Sequence, residues 1–334
     1  MLGSLRIDDP ERRYSAVRLC ADLPLDDRDF VRENGAWVLH LPELRLARLE
    51  YQLEVRDQDG TAQVVCDPAN PQRAPGAFGE KSVLSAPDYR SPAWLEAPAM
   101  AGAWEEVGVR VLGRRLELSV WSPSEGPLPL LVAHDGPEYE ELALLTRYAG
   151  AMIEATALPP FRVALLPPGE RDEWYSASAV YGRALCSRVL PALRDRLDVD
   201  GLPVGMGASL GALAMLQAQR TWPTAFSGLF LQSGSFFVPR FDRHESGFAR
   251  YGRVTRFVRT VLRAAGHDDP VPVVMTCGAE EENIHNNRLM ASALAAQGYD
   301  VRLHELADLH NYTGWRDALH PHLTGLLARL WPAR

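Results

Sequence analysis

Hydrophobic and polar positions follow two different rhythms along the chain. Between about residues 14 and 65, apolar residues alternate with polar ones in short runs, the clearest being 16–20, 36–41 and 49–55. The pairs Asn34-Gly35 and Asp59-Gly60 separate these runs and are typical of hairpin turns. A period of two places one side of each strand in a core and the other in water. This part of the chain therefore predicts a small β-sandwich.

A change of composition follows the predicted sandwich. Residues 67–98 are rich in Pro, Ala, Gly and Ser and have little periodicity, so they predict an irregular linker. A structureless segment of this length is unusual inside one compact domain. We therefore place a domain boundary here and predict a β-sandwich domain with its linker over 1–100 and a second domain over 101–334.

From about residue 104 the pattern alternates between short apolar runs and longer segments with helical spacing. The predicted strands are 107–112, 116–121, 128–133, 161–166, 202–206, 228–232, 271–277 and 300–306. The predicted helices are 138–155, 177–197, 210–219, 287–297 and 315–330. Strands that alternate with helices in this way predict an α/β domain whose mostly parallel sheet is covered on both faces.

Composition narrows the classes of function. The 334 residues suit two domains, and 46% hydrophobic residues suffice for a large core. A net charge of -8 disfavours nucleic acid and anionic membranes as partners, and no apolar run approaches the roughly 20 residues of a membrane-spanning helix. The four cysteines are far apart, so we expect no disulfide or zinc framework and a cytoplasmic location. The sequence implies no metal or other cofactor and does not indicate an oligomeric state.

The pentapeptide Gly207-Ala208-Ser209-Leu210-Gly211 carries the first chemical signal. It follows the apolar run 202–206 and precedes a strong helix-forming sequence. A G-x-S-x-G turn between a strand and a helix is the context of a nucleophile elbow, in which small flanking residues let strand and helix approach. A glycine-rich turn without chemistry is the alternative. The context favours Ser209 as a nucleophile, with the backbone N–H of Leu210 as one oxyanion donor.

A serine nucleophile needs a base and an acid to orient that base. His310 follows the last predicted strand and precedes the last predicted helix, which is the position of the base in α/β-hydrolases. An ordinary loop histidine is the alternative. The acid is less well defined, because Glu280, Glu281 and Glu282 are consecutive after the strand 271–277 and Asp308 lies near the base. The G-x-x-acid spacing from Gly278 favours Glu281.

The chain resembles a known family in several of these segments. Residues from about 128 to 330 are similar to the enterochelin esterase branch of the esterase D-like α/β-hydrolases, and the N-terminal part resembles their immunoglobulin-like early-set domain. The matching segments are 132–136, 205–211, 232–237, 278–287, 310–311 and 315–316, with 67–71, 82–84 and 92–95 leading into the second domain. The resemblance implies a cytoplasmic serine esterase, whose best-known relatives cleave a catechol trilactone that carries iron.

One position departs from the family's pattern. Related enzymes take an oxyanion donor from the residue after Asp-Gly, which here is Pro137, and proline has no N–H. The second donor is then Gly136, Glu138 or a side chain. The resemblance also leaves the substrate open, because this branch includes feruloyl and acetyl-xylan esterases, S-formylglutathione hydrolases and mycolyltransferases.

Candidate substrate contacts lie in two places. The insertion 239–263 is rich in arginine, and we expect Arg240 and Arg243 to meet an anionic substrate. The alternative is a helix whose arginines are only solvated, because apolar residues recur along 254–262 at helical spacing. Further candidates follow the strand ends 128–133 and 161–166, namely His134, Arg171, Trp174 and Tyr175. Burial of Trp174 and a supporting role for His134 are the alternatives.

These observations predict a serine esterase that acts on a small-molecule ester through a Ser209, His310 and Glu281 triad and an acyl-enzyme. A feruloyl or acetyl polysaccharide esterase, or an acyltransferase, would use the same triad. A ligand-binding protein without catalysis is the alternative from another class. The presence of the serine, the acid and the histidine in the expected order argues against it.

Overall fold

A computed structural model gives the fold of residues 3–332. Residues 1–2 of the predicted first domain and 333–334 of the predicted second domain lie outside the described part. The chain divides into two compact units. The first comprises the N-terminal residues up to Arg90 together with Gly278–Glu282 and Glu305–Gly314. The second comprises Ser91–Cys277, Asn283–His304 and the C-terminal residues from Trp315 onwards.

The first unit is built on two antiparallel sheets, which agrees with the predicted all-β domain. Its strands are β1 Ser4–Asp8, β2 Tyr14–Cys20, β3 Val31–Glu33, β4 Ala36–His40, β5 Arg48–Asp57, β6 Ala62–Val65, β7 Arg73–Ala74 and β8 Lys81–Ser85. One sheet has the order β1-β4-β3; the other has the order β2-β5-β8-β7, with β6 paired to β5. Inward-facing residues such as Leu19, Leu49 and Leu53 form the core between them.

The prediction of an irregular linker over 67–98 was wrong for its middle part, which contains two strands. Strand β8 pairs with β5 along Arg48 to Tyr51, and β7 extends the sheet beyond β8. Buried polar groups fix the segment that leads into these strands: Asp67 accepts a hydrogen bond from the Tyr51 hydroxyl at 2.6 Å, and its own N–H donates to Ser82 Oγ at 2.8 Å. Because the partner of β8 is remote in sequence, local composition did not reveal the strand.

One eight-stranded sheet belongs to the second unit except for the last residues of two strands, Gly278 and Glu305–Leu306, which are assigned to the first. Its strands are β9 Ala103–Val111, β10 Arg114–Ser122, β11 Leu130–His134, β12 Arg162–Leu166, β13 Val204–Ala208, β14 Gly228–Gln232, β15 Val273–Gly278 and β16 Val301–Leu306. The strand order is β16-β15-β14-β13-β11-β12-β10-β9. Strands β11 to β15 run parallel, whereas β9 and β10 form an antiparallel hairpin at one edge. The predicted α/β-hydrolase architecture is confirmed.

Helices connect and cover these strands. They are α1 Gly136–Ala143, α2 Leu145–Glu154, α3 Arg171–Trp174, α4 Ala179–Ala184, α5 Leu190–Arg196, α6 Leu210–Thr221, α7 Tyr251–Arg263, α8 Ile284–Ala296, α9 Tyr312–Asp317 and α10 Thr324–Leu330. A π-helical turn, Leu185–Val189, joins α4 to α5, so the predicted helix 177–197 is largely continuous. Within the described residues, we find no helix with the length and apolarity needed to cross a bilayer.

Two predicted helices are interrupted. The segment predicted as 138–155 breaks at Leu144, which has a left-handed φ of 54°, and the Glu140 carboxylate caps the new helix by accepting from Thr146 N at 2.9 Å and Oγ1 at 2.6 Å. The segment predicted as 315–330 is divided by a π-helical turn in which His320, before Pro321, has non-helical torsions. Apolar spacing continues across both breaks, so it could not reveal them.

A methyl group at Gly207 tests the close approach of β13 and α6. A Cβ at Gly207 would lie 2.6 Å from the Gly211 carbonyl carbon and 2.7 Å from its oxygen, and this backbone cannot rotate away. We expect Gly207→Ala to lower the free energy of unfolding by about 1–3 kcal/mol, the usual range for overpacking. Thermal or urea unfolding measures the change.

The matched control is Gly325→Ala, which adds the same methyl group in α10, where no atom beyond the neighbouring residues and the helix's own backbone lies within 4 Å of the new Cβ. It should leave stability unchanged or raise it, since alanine favours a helix more than glycine. Equal unfolding midpoints for wild type and Gly207→Ala would contradict the close-packed elbow.

Candidate active site

Ser209 occupies the sharp turn between β13 and α6. Its torsions are φ 55° and ψ -123°, a region that a residue with a side chain rarely adopts, and α6 begins at Leu210. The Ser209 N–H donates to the Gln232 carbonyl at 2.9 Å, which anchors the turn to the end of β14. The strained backbone is the geometry of a nucleophile elbow, and it leaves Ser209 partly exposed.

Ser235 is the nearest polar neighbour that sequence analysis did not assign. Its hydroxyl lies 3.1 Å from Ser209 Oγ, and its N–H donates to the Ser209 carbonyl at 3.2 Å. Ser235 is buried, so the contact restricts the orientation of the Ser209 hydroxyl. Its place just after β14 was a usable signal, because the strands beside a nucleophile elbow end at the same edge of the sheet.

His310 and Glu281 form a hydrogen-bonded pair within the first unit. His310 Nδ1 lies 3.0 Å from Glu281 Oε2, and the Gly278 N–H donates to Glu281 Oε1 at 2.8 Å. The Glu281 side chain is only 2% exposed. A carboxylate only accepts, so Nδ1 of the neutral imidazole carries the proton and Nε2 carries the lone pair. This is the tautomer that a general base toward a serine requires.

The neighbouring acidic residues have other surroundings. Glu280 Oε1 accepts from the Arg45 backbone N–H at 2.9 Å, and Glu282 is exposed. Asp308, the remaining candidate acid, pairs with Arg48 at 2.9 Å. Of the residues weighed from sequence, Glu281 is therefore the one that the structure brings to the imidazole of His310.

Two helix starts offer backbone N–H groups near the ends of β13 and β11. Leu210 is the first residue of α6 and Gly136 the first of α1, and first-turn amides have no acceptor within their own helix. Asp135, before Gly136, is left-handed with φ 51°, and Pro137 occupies the first turn. A Cβ at Gly136 would lie 2.3 Å from Leu165 Cα, so only glycine fits there.

The side chain of Arg171 holds this turn. Its Nε and Nη2 donate to the two carboxylate oxygens of Asp135 at 2.9 and 2.8 Å. The Asp135 carboxylate is 3% exposed, whereas the guanidinium side chain is 36% exposed. A two-point ion pair with a buried carboxylate fixes the left-handed Asp135 and thereby the direction of the Gly136 N–H. Arg171 was predicted to contact substrate; the structure shows this supporting contact, and the contact with substrate stays a prediction.

The other predicted substrate contacts in this region are buried. His134, Trp174 and Tyr175 are at most 3% exposed, so none offers a face to a ligand in this structure. The Tyr181 hydroxyl donates to His134 Nε2 at 2.8 Å, and His134 Nδ1 donates to the Gly211 carbonyl at 3.1 Å. Burial lowers the pKa of His134 to about 4, so this imidazole is neutral at physiological pH. We assign these residues to support of the elbow and the Gly136 turn.

The arginines of the insertion 239–263 divide into two groups. Arg250 and Arg253 both pair with Glu173, and Arg253 Nε also donates to the Ser176 carbonyl at 2.7 Å. Their hydrogen bonds, with that of Arg253 the larger effect, hold the pKa of the Glu173 carboxyl below its usual value. The others are exposed, namely Arg240, Arg243, Arg256, Arg259 and Arg263, and Arg240 lies over the Phe241 ring at 5.3 Å.

Comparison with known proteins identifies the family of the chain. The profile of the family described as Putative esterase matches residues 110–326. An iron(III) enterobactin esterase of Dickeya dadantii is 28% identical over 228 residues, which cover 62% of this chain and 50% of that protein. The chain thus spans about half the length of this sequence relative.

Solved structures extend the likeness to the whole chain. The ferric enterobactin esterase of Salmonella typhimurium superposes with a TM-score of 0.77 at 19% identity, covering 98% of this chain and 93% of that one. The enterobactin esterase of Shigella flexneri, solved in the presence of enterobactin, gives 0.74 at 19% identity over 98% and 92%. At such identities the likeness shows a common fold. The expected resemblance to the enterochelin esterase branch is confirmed, and the chain belongs to the esterase family.

Proposed function

We propose that this protein is a serine esterase in which Ser209 is the nucleophile, His310 the general base and Glu281 the residue that orients His310. The 3.0 Å contact between His310 Nδ1 and Glu281 Oε2 carries the proposal, because it leaves Nε2 as the basic nitrogen. The strained torsions of Ser209 support it. The order serine, acid, histidine after β13, β15 and β16 of one sheet is that of α/β-hydrolases.

Hydrolysis then takes place in two steps. Ser209 Oγ attacks the ester carbonyl carbon while its proton passes to His310 Nε2, and the carbonyl oxygen becomes an oxyanion. The N–H groups of Leu210 and Gly136 donate to this oxyanion, whereas Pro137 has no N–H to offer. Collapse releases the alcohol, which takes the proton from His310. Water, deprotonated by His310, then attacks the acyl carbon, and collapse breaks the bond to Ser209 Oγ, releases the carboxylic acid and returns the proton from His310 to Ser209.

The substrate we propose is the ester of a catechol siderophore. The relatives named above are enterobactin esterases, and one of them was solved with enterobactin present. Iron would enter as part of such a substrate. Arg240 and Arg243 are exposed cations that would attract the negative charge of a ferric catecholate.

The first test replaces the proposed nucleophile. Ser209→Ala should lower hydrolysis of a p-nitrophenyl ester by about 10⁴- to 10⁶-fold, as removal of a triad serine does in other serine hydrolases. It should also abolish labelling by a fluorophosphonate, read by intact mass. Ser235→Ala is the matched control and should retain labelling at Ser209. Wild-type labelling at another serine would exclude the assignment.

The second test compares adjacent glutamates. Glu281→Gln should lower kcat by orders of magnitude, up to about 10⁴-fold, because the amide cannot hold the required tautomer of His310. Glu280→Gln removes the same charge one residue away, where the carboxylate contacts Arg45 N instead, and should change kcat by less than about threefold. Comparable losses in both variants would point to a general effect of loop charge rather than a triad acid.

The third test concerns substrate charge. Joint replacement of Arg240 and Arg243 by glutamine should raise KM for a ferric catechol trilactone several-fold and leave KM for a neutral ester unchanged. Salt should reproduce the effect, because exposed charges are screened over about 8–10 Å at physiological ionic strength. The exposed Arg188 and Arg194, replaced in the same way, form a control of equal net charge. Equal responses of both substrates would contradict a role in recognition.

Kinetic assays with several classes of substrate distinguish the proposed substrate from the alternatives. Ferric and iron-free catechol trilactones, feruloyl esters, acetylated sugars and thioesters can be compared by kcat/KM. A preference for the feruloyl or acetyl esters would replace the siderophore proposal with a polysaccharide esterase. Transfer of the acyl group to an added alcohol faster than to water would identify an acyltransferase.

A further inference from the structure

A buried cluster of charges joins strand β5 to the loop that carries His310. Arg48, the first residue of β5, donates to Glu50 Oε1 at 2.6 Å and to Asp308 Oδ2 at 2.9 Å. The Arg48 side chain is 3% exposed, and the two carboxylates are 4% and 10% exposed. All three residues belong to the first unit. The contact spans 260 positions of sequence and ends two residues before His310.

The turn that holds His310 is built around the Asp308 carboxylate. Oδ1 accepts from the Leu309 N–H and from Asn311 Nδ2, both at 2.8 Å. Asn311 Oδ1 in turn accepts from the Gly314 N–H at 2.7 Å. Leu309 is 3% exposed and packs into the core of the β-sandwich. The residues on both sides of His310 are therefore fixed through Asp308.

The loop that carries Glu281 also packs against Asp308. A Cβ at Gly278 would lie 2.1 Å from the Asp308 carbonyl oxygen, so the two backbones are in close contact. The Gly278 N–H is also the donor to Glu281 Oε1. Alongside, the Ala47 N–H donates to the Ala307 carbonyl at 2.7 Å. Asp308 thus contacts the loop of the acid through its carbonyl and shapes the loop of the base through its carboxylate, which also accepts from Arg48.

A contribution to the free energy of folding does not explain why these charges are buried. Removing two carboxylates and a guanidinium from water costs several kcal/mol per ion, and well-packed apolar residues often serve as well or better. Burial raises the pKa of Asp308 to about 6, and the nearby Arg48 opposes this by favouring the ionised form. The guanidinium therefore keeps a buried carboxyl charged, and a charged carboxyl is the stronger acceptor for the bonds that shape the turn.

We propose that Arg48 is a positioning residue, which fixes Asp308 and through it the distance and angle between His310 and Glu281. This role rests on the proposed function of the His310 and Glu281 pair. It assigns to the N-terminal unit a part in catalysis: its strand β5 orients the acid–base pair.

Kinetics of substituted enzymes provide the first test. Arg48→Met and Asp308→Asn should each lower kcat for a p-nitrophenyl ester about 10- to 100-fold, with KM within about twofold, because a misplacement near 1 Å costs about 10²-fold. Arg48→Lys should recover part of kcat, since its ammonium keeps the charge but lacks the planar fork by which two guanidinium nitrogens each donate to one carboxylate. Assays at a temperature where each variant is fully folded remove the contribution of unfolding.

Tyr51→Phe is the matched control. Tyr51 lies three residues along the same strand, and its hydroxyl donates to Asp67 at 2.6 Å and accepts from Asn70 Nδ2 at 3.3 Å, two residues of the segment that leads into β7. It should lower the melting temperature while leaving kcat within about twofold. If Arg48→Met is folded and has the wild-type kcat, or if Tyr51→Phe loses as much kcat, the positioning role is overturned.

A second readout needs no turnover. The downfield proton resonance of the His310 Nδ1–H to Glu281 bond should broaden or shift upfield in Arg48→Met and Asp308→Asn, and should be unchanged in Tyr51→Phe. Glu281→Gln identifies the resonance by removing it. An unchanged resonance in folded Arg48→Met overturns the proposal. Activity retained by Ser209→Ala would instead refute the proposed function, and the resonance would still report whether Arg48 positions the pair.

Discussion

A hydrogen bond between a buried carboxylate and an imidazole, Glu281 to His310, imposes the strongest demands on the surrounding structure. A carboxylate shielded from water is costly unless its oxygens accept hydrogen bonds. Here Oε2 meets His310 Nδ1 and Oε1 meets the Gly278 N–H. The second of these bonds draws the loop back on itself, and that loop lies against the Asp308 carbonyl, where only glycine fits. The burial of the Glu281 carboxylate therefore depends on the close backbone contact at Gly278.

The two halves of the proposed triad are held by different kinds of force. Ser209 depends on local backbone geometry, because a strand and a helix meet across small residues and the turn between them is strained. The His310 and Glu281 pair depends on contacts that are remote in sequence, among them the buried Arg48 to Asp308 ion pair. The proposed nucleophile is thus fixed by a short motif, whereas the acid–base pair needs the folded N-terminal unit around it.

In the turn before α1, buried polar side chains hold the backbone in place. Asp135 is held by Arg171, and the buried His134 is neutral and bonded at both ring nitrogens. With these side chains held, the amide of Gly136, the proposed oxyanion donor, has a defined direction. Donors oriented in advance cost no reorganisation during the reaction, which is the basis of oxyanion stabilisation.

The sequence by itself determined the elements whose signal is local. The elbow at Ser209, the alternating strands and helices of the second domain, and the histidine after the last strand were all recognisable from spacing and residue type. The choice among Glu280, Glu281 and Glu282 had a weaker signal, the G-x-x-acid spacing from Gly278 that favoured Glu281, because three like charges in a row do not by themselves indicate which one turns inward. The break at Leu144 was missed because apolar spacing continues through it, whereas the break before Pro321 had a local signal, the proline itself, that the apolar spacing outweighed in the prediction.

Tertiary structure decided what depends on remote partners. Strand β8 exists because β5 offers an edge to pair with, and Trp174 and Tyr175 lie in the core instead of facing a ligand. The assignment of Gly278–Glu282 and Glu305–Gly314 to the N-terminal unit follows from contacts such as Arg48 to Asp308, which join residues 260 positions apart. Local sequence encodes torsion preferences and periodicity, but a buried ion pair is stable only when both charges are already brought together by the fold.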